Sequence, residues 1–168
     1  YLGIEVESIK GNNIVIETHP NRPDLLSEQG FSRALSSFLG KKPGLRHYDV
    51  KDSKQHVVID NTLKDIRPYT VCAIVKDLKL DSNKVNEIIS IQEKLHDSIC
   101  RHRKKAAIGI YPLDKIQMPI LFTSLPASKI KFRPLGMKKE MPASEILKPH
   151  PAGQESSQLL AGLKSYPV

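Results

Sequence analysis

Asn21-Arg22-Pro23-Asp24-Leu25-Leu26-Ser27 decides how the first part of this chain folds. Pro20 and Pro23 each lack an amide donor and push the preceding residue away from helical geometry, so the strand pattern over residues 14–18 cannot run straight into a helix. The chain must turn here. Asp24 and Ser27 are the candidate N-caps, because a short side-chain oxygen accepts hydrogen bonds from the first helical amides. Beyond them Phe31, Ala34, Leu35, Phe38 and Leu39 recur at the spacing of one buried helix face, and Gly40 supplies a left-handed stop. Ahead of the turn, Leu2, Ile4 and Val6 alternate with polar residues, as do Ile14 and Ile16. Gly11-Asn12-Asn13 lies between the two runs, which predicts a hairpin.

The joint Lys41-Lys42-Pro43-Gly44 closes this first unit. A second one opens with Val57, Val58 and Ile59. Residues 69–75 are rich in β-branched side chains and apolar on both faces, which predicts a strand covered on both sides. Asp81 and Ser82 can cap a helix in which Val85, Ile88, Ile89, Gln92, Leu95 and Ile99 share a face, its last turn approaching basic residues that complement the helix dipole. Residues 106–111 then read as a buried strand and 120–124 as another. Pro126, Pro134, Pro142, Pro149 and Pro151 break the following stretch into short pieces, with room for brief helical turns at 144–147 and 154–160. The expected class is α+β. A small strand-strand-helix unit over residues 1–44 precedes a mixed-sheet α/β domain with helices packed on its sheet, over residues 45–168.

Net charge is +8 over 168 residues, and its distribution is uneven. Lys and Arg against Asp and Glu number 6 and 6 in residues 1–50, 8 and 8 in 51–100, and 12 and 4 in 101–168. Arg101, Arg103, Lys104 and Lys105 form one basic cluster, and Lys129, Lys131, Arg133, Lys138 and Lys139 another. Such a surplus attracts polyanions through counterion release, so Arg101, Arg103, Lys104, Lys105, Lys129, Lys131 and Arg133 are the candidate RNA contacts; the alternative is a solvated basic face. No apolar run approaches the roughly 20 residues that cross a bilayer, and no signal peptide is visible. Cys72 and Cys100 make no disulfide framework and fit a reducing compartment, with cytoplasm as the default expectation. The chain begins on Tyr1 and stops on Val168 inside a predicted strand, so the second domain is expected to be C-terminally incomplete.

No catalytic constellation emerges. Residues 39–44 lack the spacing and strand-loop-helix context of a phosphate cradle. The six histidines have no carboxylate or thiol partner at a convincing spacing, and no Cys and His pattern suits zinc. Glu93 and Asp97, four apart on the predicted helix, read as solvent-facing charges supporting Lys94 and Arg101 rather than as an acid-base pair. Asn21, Arg22, Pro23, Asp24 and Ser27 read chiefly as a structural motif whose polar groups satisfy the turn. No catalytic residue and no metal ligand are assigned.

The turn motif resembles a signature near the N-terminus of the phenylalanyl-tRNA synthetase beta subunit. Further blocks extend the likeness to the archaeal and eukaryotic type: Arg67-Pro68-Tyr69, Gln92-Glu93-Lys94-Leu95-His96, Arg101-His102-Arg103-Lys104-Lys105-Ala106-Ala107-Ile108-Gly109-Ile110, Leu113-Asp114-Lys115-Ile116, His150-Pro151 and Tyr166-Pro167. Tyr111-Pro112 and Ser156 depart from the family pattern. The resemblance implies an N-terminal fragment comprising the first small domain and most of the proofreading-type (B3/B4) domain. It implies a part in ATP-dependent attachment of phenylalanine to tRNA(Phe), with an alpha subunit carrying the aminoacylation site in an α2β2 assembly. ATP and Mg2+ are then cofactors of the whole enzyme and none is expected on this chain. Two other classes remain open: a stand-alone hydrolase that clears misacylated tRNA, and a non-catalytic RNA-binding or assembly module.

Overall fold

The computed structural model describes residues 2–168. Its contacts divide into two units, residues 2–51 with 77–110 and residues 52–76 with 111–168. The helix expected in the second unit thus clusters with the first. The architecture is α+β, as the residue pattern predicts.

In the first unit, β1 (Glu5–Lys10) and β2 (Asn13–Glu17) form an antiparallel hairpin in which Lys10 pairs with Asn13. Gly11 opens the two-residue loop at φ 58°, a left-handed value that a side chain would resist. The chain then enters a 3-10 turn, Pro23–Leu25, with Leu25 only 2% exposed. Helix α1 (Glu28–Phe38) follows. Ser27 caps it, its hydroxyl oxygen accepting from Gly30 N at 3.0 Å. Asp24, the other expected cap, instead accepts from the Arg22 guanidinium. The helix ends as Gly40 requires: at φ 70° it lets Gly40 N donate to Ser37 O at 3.1 Å and Lys41 N to Ser36 O at 3.0 Å. Its expected buried face is only partly covered; Phe31, Ala34 and Leu35 are half-buried, while Phe38 and Leu39 are exposed.

Helix α2 (Ser82–Asp97) is capped by Asp81, which accepts from Lys84 N at 2.9 Å. The more covered face runs through Ile88, Ile91, Gln92, Leu95 and His96, displaced from the expected one because Val85 and Ile89 stay exposed.

In the second unit the strands come as two-stranded pairs. β3 (Val57–Ile59) runs parallel to β4 (Ile120–Phe122), with Val57 opposite Ile120. β5 (Ser124–Leu125) pairs antiparallel with β8 (Tyr166–Pro167), and β6 (Lys131–Phe132) with β7 (Met141–Pro142). Short helices α3 (Ala143–Ile146) and α4 (Pro151–Leu160) occupy the predicted positions, α4 beginning on a proline at its first turn where no amide is needed. Leu63, Ala143 and Ile146 are buried, Leu63 completely. Asp60 caps the turn that places Leu63, and its hydrogen bond from Thr62 holds its carboxyl below the usual carboxylate range.

Two expected strands do not form. Residues 69–75 and 106–111 lie outside any strand pairing; Tyr69 is 90% and Val71 96% exposed, and Ile110 and Tyr111 are also exposed. Apolar composition signals a segment able to be buried, but a ladder also needs a neighbour. Among the described residues no strand pairs with either one.

Candidate nucleic-acid interface

The turn at residues 21–27 is held by Arg22. Its Nε donates to Asp24 Oδ1 at 2.9 Å, Nη2 to Asp24 Oδ2 at 2.7 Å and Nη1 to Leu2 O at 3.0 Å. This fork stiffens the corner and ties it to the segment ahead of β1 through Leu2. The side-chain hydrogen bond holds the Asp24 carboxyl below its ordinary range, and the same bond raises the guanidinium. Lys94, on α2, donates to Leu26 O at 3.2 Å, so the helix and the corner meet.

The C-terminal end of α2 carries the first basic cluster. His96, 2% exposed, accepts from Ile108 N at 2.8 Å through Nε2, and Gln92 donates to Ile108 O at 2.6 Å. Two side chains one helical turn apart therefore satisfy both backbone groups of one extended residue, replacing a strand neighbour. An amide can only donate, so Nε2 is unprotonated and the imidazole proton sits on Nδ1. Nδ1 lies 3.5 Å from Glu93 Oε1, too long for a good hydrogen bond, and has no other partner among the described residues.

Glu93 is committed elsewhere. Arg103 Nη2 donates to both its oxygens, at 2.8 and 2.7 Å. Asp97 approaches His102 Nδ1 at 3.3 Å. The expected support of Lys94 and Arg101 by these carboxylates is thereby corrected: the chain reverses after Cys100 and brings Arg103 and His102 to them instead. The reversal is tight, with Arg101, His102 and Arg103 in succession at φ 51°, 52° and 63°. Three consecutive left-handed residues with side chains cost about 1–2 kcal/mol each, which the Arg103–Glu93 pair and the bond from Lys105 N to Cys100 O at 2.9 Å help offset. Arg101 and Lys104 project from this turn as exposed cations, while Arg103 is half-buried.

The second basic cluster belongs to the other unit. Lys129 ends a 3-10 turn, Lys131 lies on β6 and Arg133 follows directly after that strand. All three are exposed. A third basic group escapes a charge count by blocks of fifty: Arg33, Lys41, Lys42 and Arg46 line one cleft beside α1. Its sequence signal is the absence of any carboxylate over residues 29–48.

No family model matches the chain. Curated relatives do. The phenylalanine-tRNA ligase beta subunit of Thermococcus sibiricus is 43% identical over 148 residues, covering 88% of this chain and 26% of the relative. That of Methanosphaera stadtmanae is 37% identical over 164 residues, covering 98% of this chain and 29% of the relative. A crystal structure of an N-terminal fragment of the phenylalanyl-tRNA synthetase beta subunit from Pyrococcus horikoshii superposes with a TM-score of 0.86 at 39% identity, over 99% of this chain and 49% of that one. The chain is homologous to the N-terminal region of the phenylalanine-tRNA ligase beta subunit. These beta-subunit homologues are parts of an aminoacyl-tRNA synthetase. The chain spans between a quarter and a third of the length of the two beta subunits named. No helix among the described residues is long and apolar enough to cross a membrane.

Proposed function

We propose that the chain acts as the N-terminal part of the beta subunit of phenylalanine-tRNA ligase, supporting ATP-dependent attachment of phenylalanine to tRNA(Phe) without housing the synthetic site. The observation that carries this is the superposition on the Pyrococcus horikoshii fragment over 99% of the chain at 39% identity. We assign residues 1–44 to the first small domain and residues 45–168 to the proofreading-type domain, with residues 77–110 clustering by contacts with the first unit. They contribute scaffold, contacts to the alpha subunit of an α2β2 enzyme, and one wall of the pocket that removes wrongly attached amino acid. Arg101, Lys104 and Lys105 in one unit, and Lys129, Lys131 and Arg133 in the other, meet RNA phosphate, while Arg103 is engaged by Glu93. ATP and Mg2+ act at the alpha subunit's site. The enzyme works in the cytoplasm.

Co-expression with the cognate alpha subunit tests the assignment. The chain is expected to co-purify with it, and the pure chain to give no phenylalanine-dependent pyrophosphate exchange. Robust exchange from the chain alone would overturn the division of labour between the subunits.

A further inference from the structure

The polar flank of α1 and the segment following it border an open, shallow cleft of about 320 Å3. Gln29, Ser32, Arg33 and Ser36 come from successive turns of the helix, a run of about 10 Å at 1.5 Å per residue. The left-handed ending at Gly40 folds the chain back along the helix, and Lys41, Lys42 and Arg46 complete the lining. Four cations thus border one opening. None of them makes an ion pair with a described residue, in contrast to Arg22 and Arg103. One carboxylate, Glu87, reaches the edge and accepts from Gln29 Nε2 at 2.7 Å, so positive charge remains in excess.

The chemistry of the lining selects the partner. Every side chain in it offers a hydrogen-bond donor, and none is aromatic or aliphatic. An acidic protein segment docks through buried apolar or aromatic anchors, for which this cleft has no seat. Phosphate and sugar oxygens are held by Arg, Lys, Ser and Gln side chains. We propose that this cleft is a contact site for the phosphate backbone of RNA, carried by α1 and residues 41–46. The site goes beyond the proposed function and is independent of the basic clusters at 101–105 and 129–133.

The test is a fluorescence-anisotropy titration of the 168-residue chain with a labelled single-stranded RNA oligonucleotide at a series of salt concentrations. The variant R33Q/K41Q/K42Q/R46Q changes only exposed positions, and circular dichroism verifies that it keeps its fold. Removing four phosphate contacts is expected to lower the slope of log K against log salt by about 3, at ~0.7 per contact on a single strand. An unchanged slope overturns the proposal. Poly-glutamate of matched charge displacing the RNA as well as unlabelled RNA does also overturns it, since the cleft would then be an unselective cationic surface. The variant R101Q/K104Q is measured in parallel. A loss confined to that variant overturns the cleft and leaves the proposed function standing, whereas a loss confined to the α1 variant supports the cleft and counts against phosphate contacts at 101–105.

Discussion

Asp24 accepts both arms of the Arg22 guanidinium, and the consequence is a pH dependence of known sign. Its carboxyl is held below the usual range in the folded chain, chiefly by that hydrogen bond. A depressed folded value means the stabilisation is fully present above the unfolded carboxylate pKa of about 3.9 and is lost as pH falls through the folded value. Urea unfolding of the wild-type chain and D24N is therefore expected to show a gap favouring the wild type at pH 7 that closes below about pH 4. An equal gap at pH 7 and pH 3 would show that Asp24 acts through something other than its charge. The sequence named both residues as parts of the corner, since two prolines leave backbone groups that need partners. It did not show which carboxylate Arg103 would choose, because that pairing depends on a left-handed reversal at residues 101–103 that no local pattern announces.

Helix α1 shows how two effects of opposite sign are decided by geometry. Gly30 occupies its first turn, where alanine is favoured over glycine by about 1 kcal/mol on propensity alone. A Cβ at Gly30 would overlap the Asp24 carbonyl oxygen, a backbone atom that cannot rotate away. Overpacking of this kind costs about 1–3 kcal/mol, so G30A is expected to be net destabilising in a urea titration. A variant more stable than the wild type would mean that the corner does not press against the helix. Residue type alone narrowed the cap of each long helix to two nearby residues in the sequence, Asp24 or Ser27 and Asp81 or Ser82, and the structure uses Ser27 and Asp81. The need for Gly30 was not legible in this way, because it comes from the path of a carbonyl six residues earlier.

Across the whole molecule, the discrepancy that matters is the fate of residues 69–75 and 106–111. Both are apolar enough for covered strands, yet neither pairs, and the second is held by Gln92 and His96 of a helix. Val71, 96% exposed, should accept a charge with a change below about 0.5 kcal/mol in the unfolding free energy of this chain, measured in urea. A loss above about 2 kcal/mol for V71K would restore the covered strand. The same substitution is expected to reduce binding of a hydrophobic dye, because an exposed apolar segment without a ladder partner is an adhesive surface. By itself the sequence determined the hairpin, the proline corner, the capped helices, the α+β class and the family likeness, since each rests on residue type and short-range spacing. Only the tertiary structure decided which carboxylate meets which cation, which apolar segments find cover, and that Arg33, Lys41, Lys42 and Arg46 gather around one cleft. The first and last of those outcomes depend on left-handed reversals at Gly40 and at residues 101–103, and the second on which strands find neighbours; periodicity records neither.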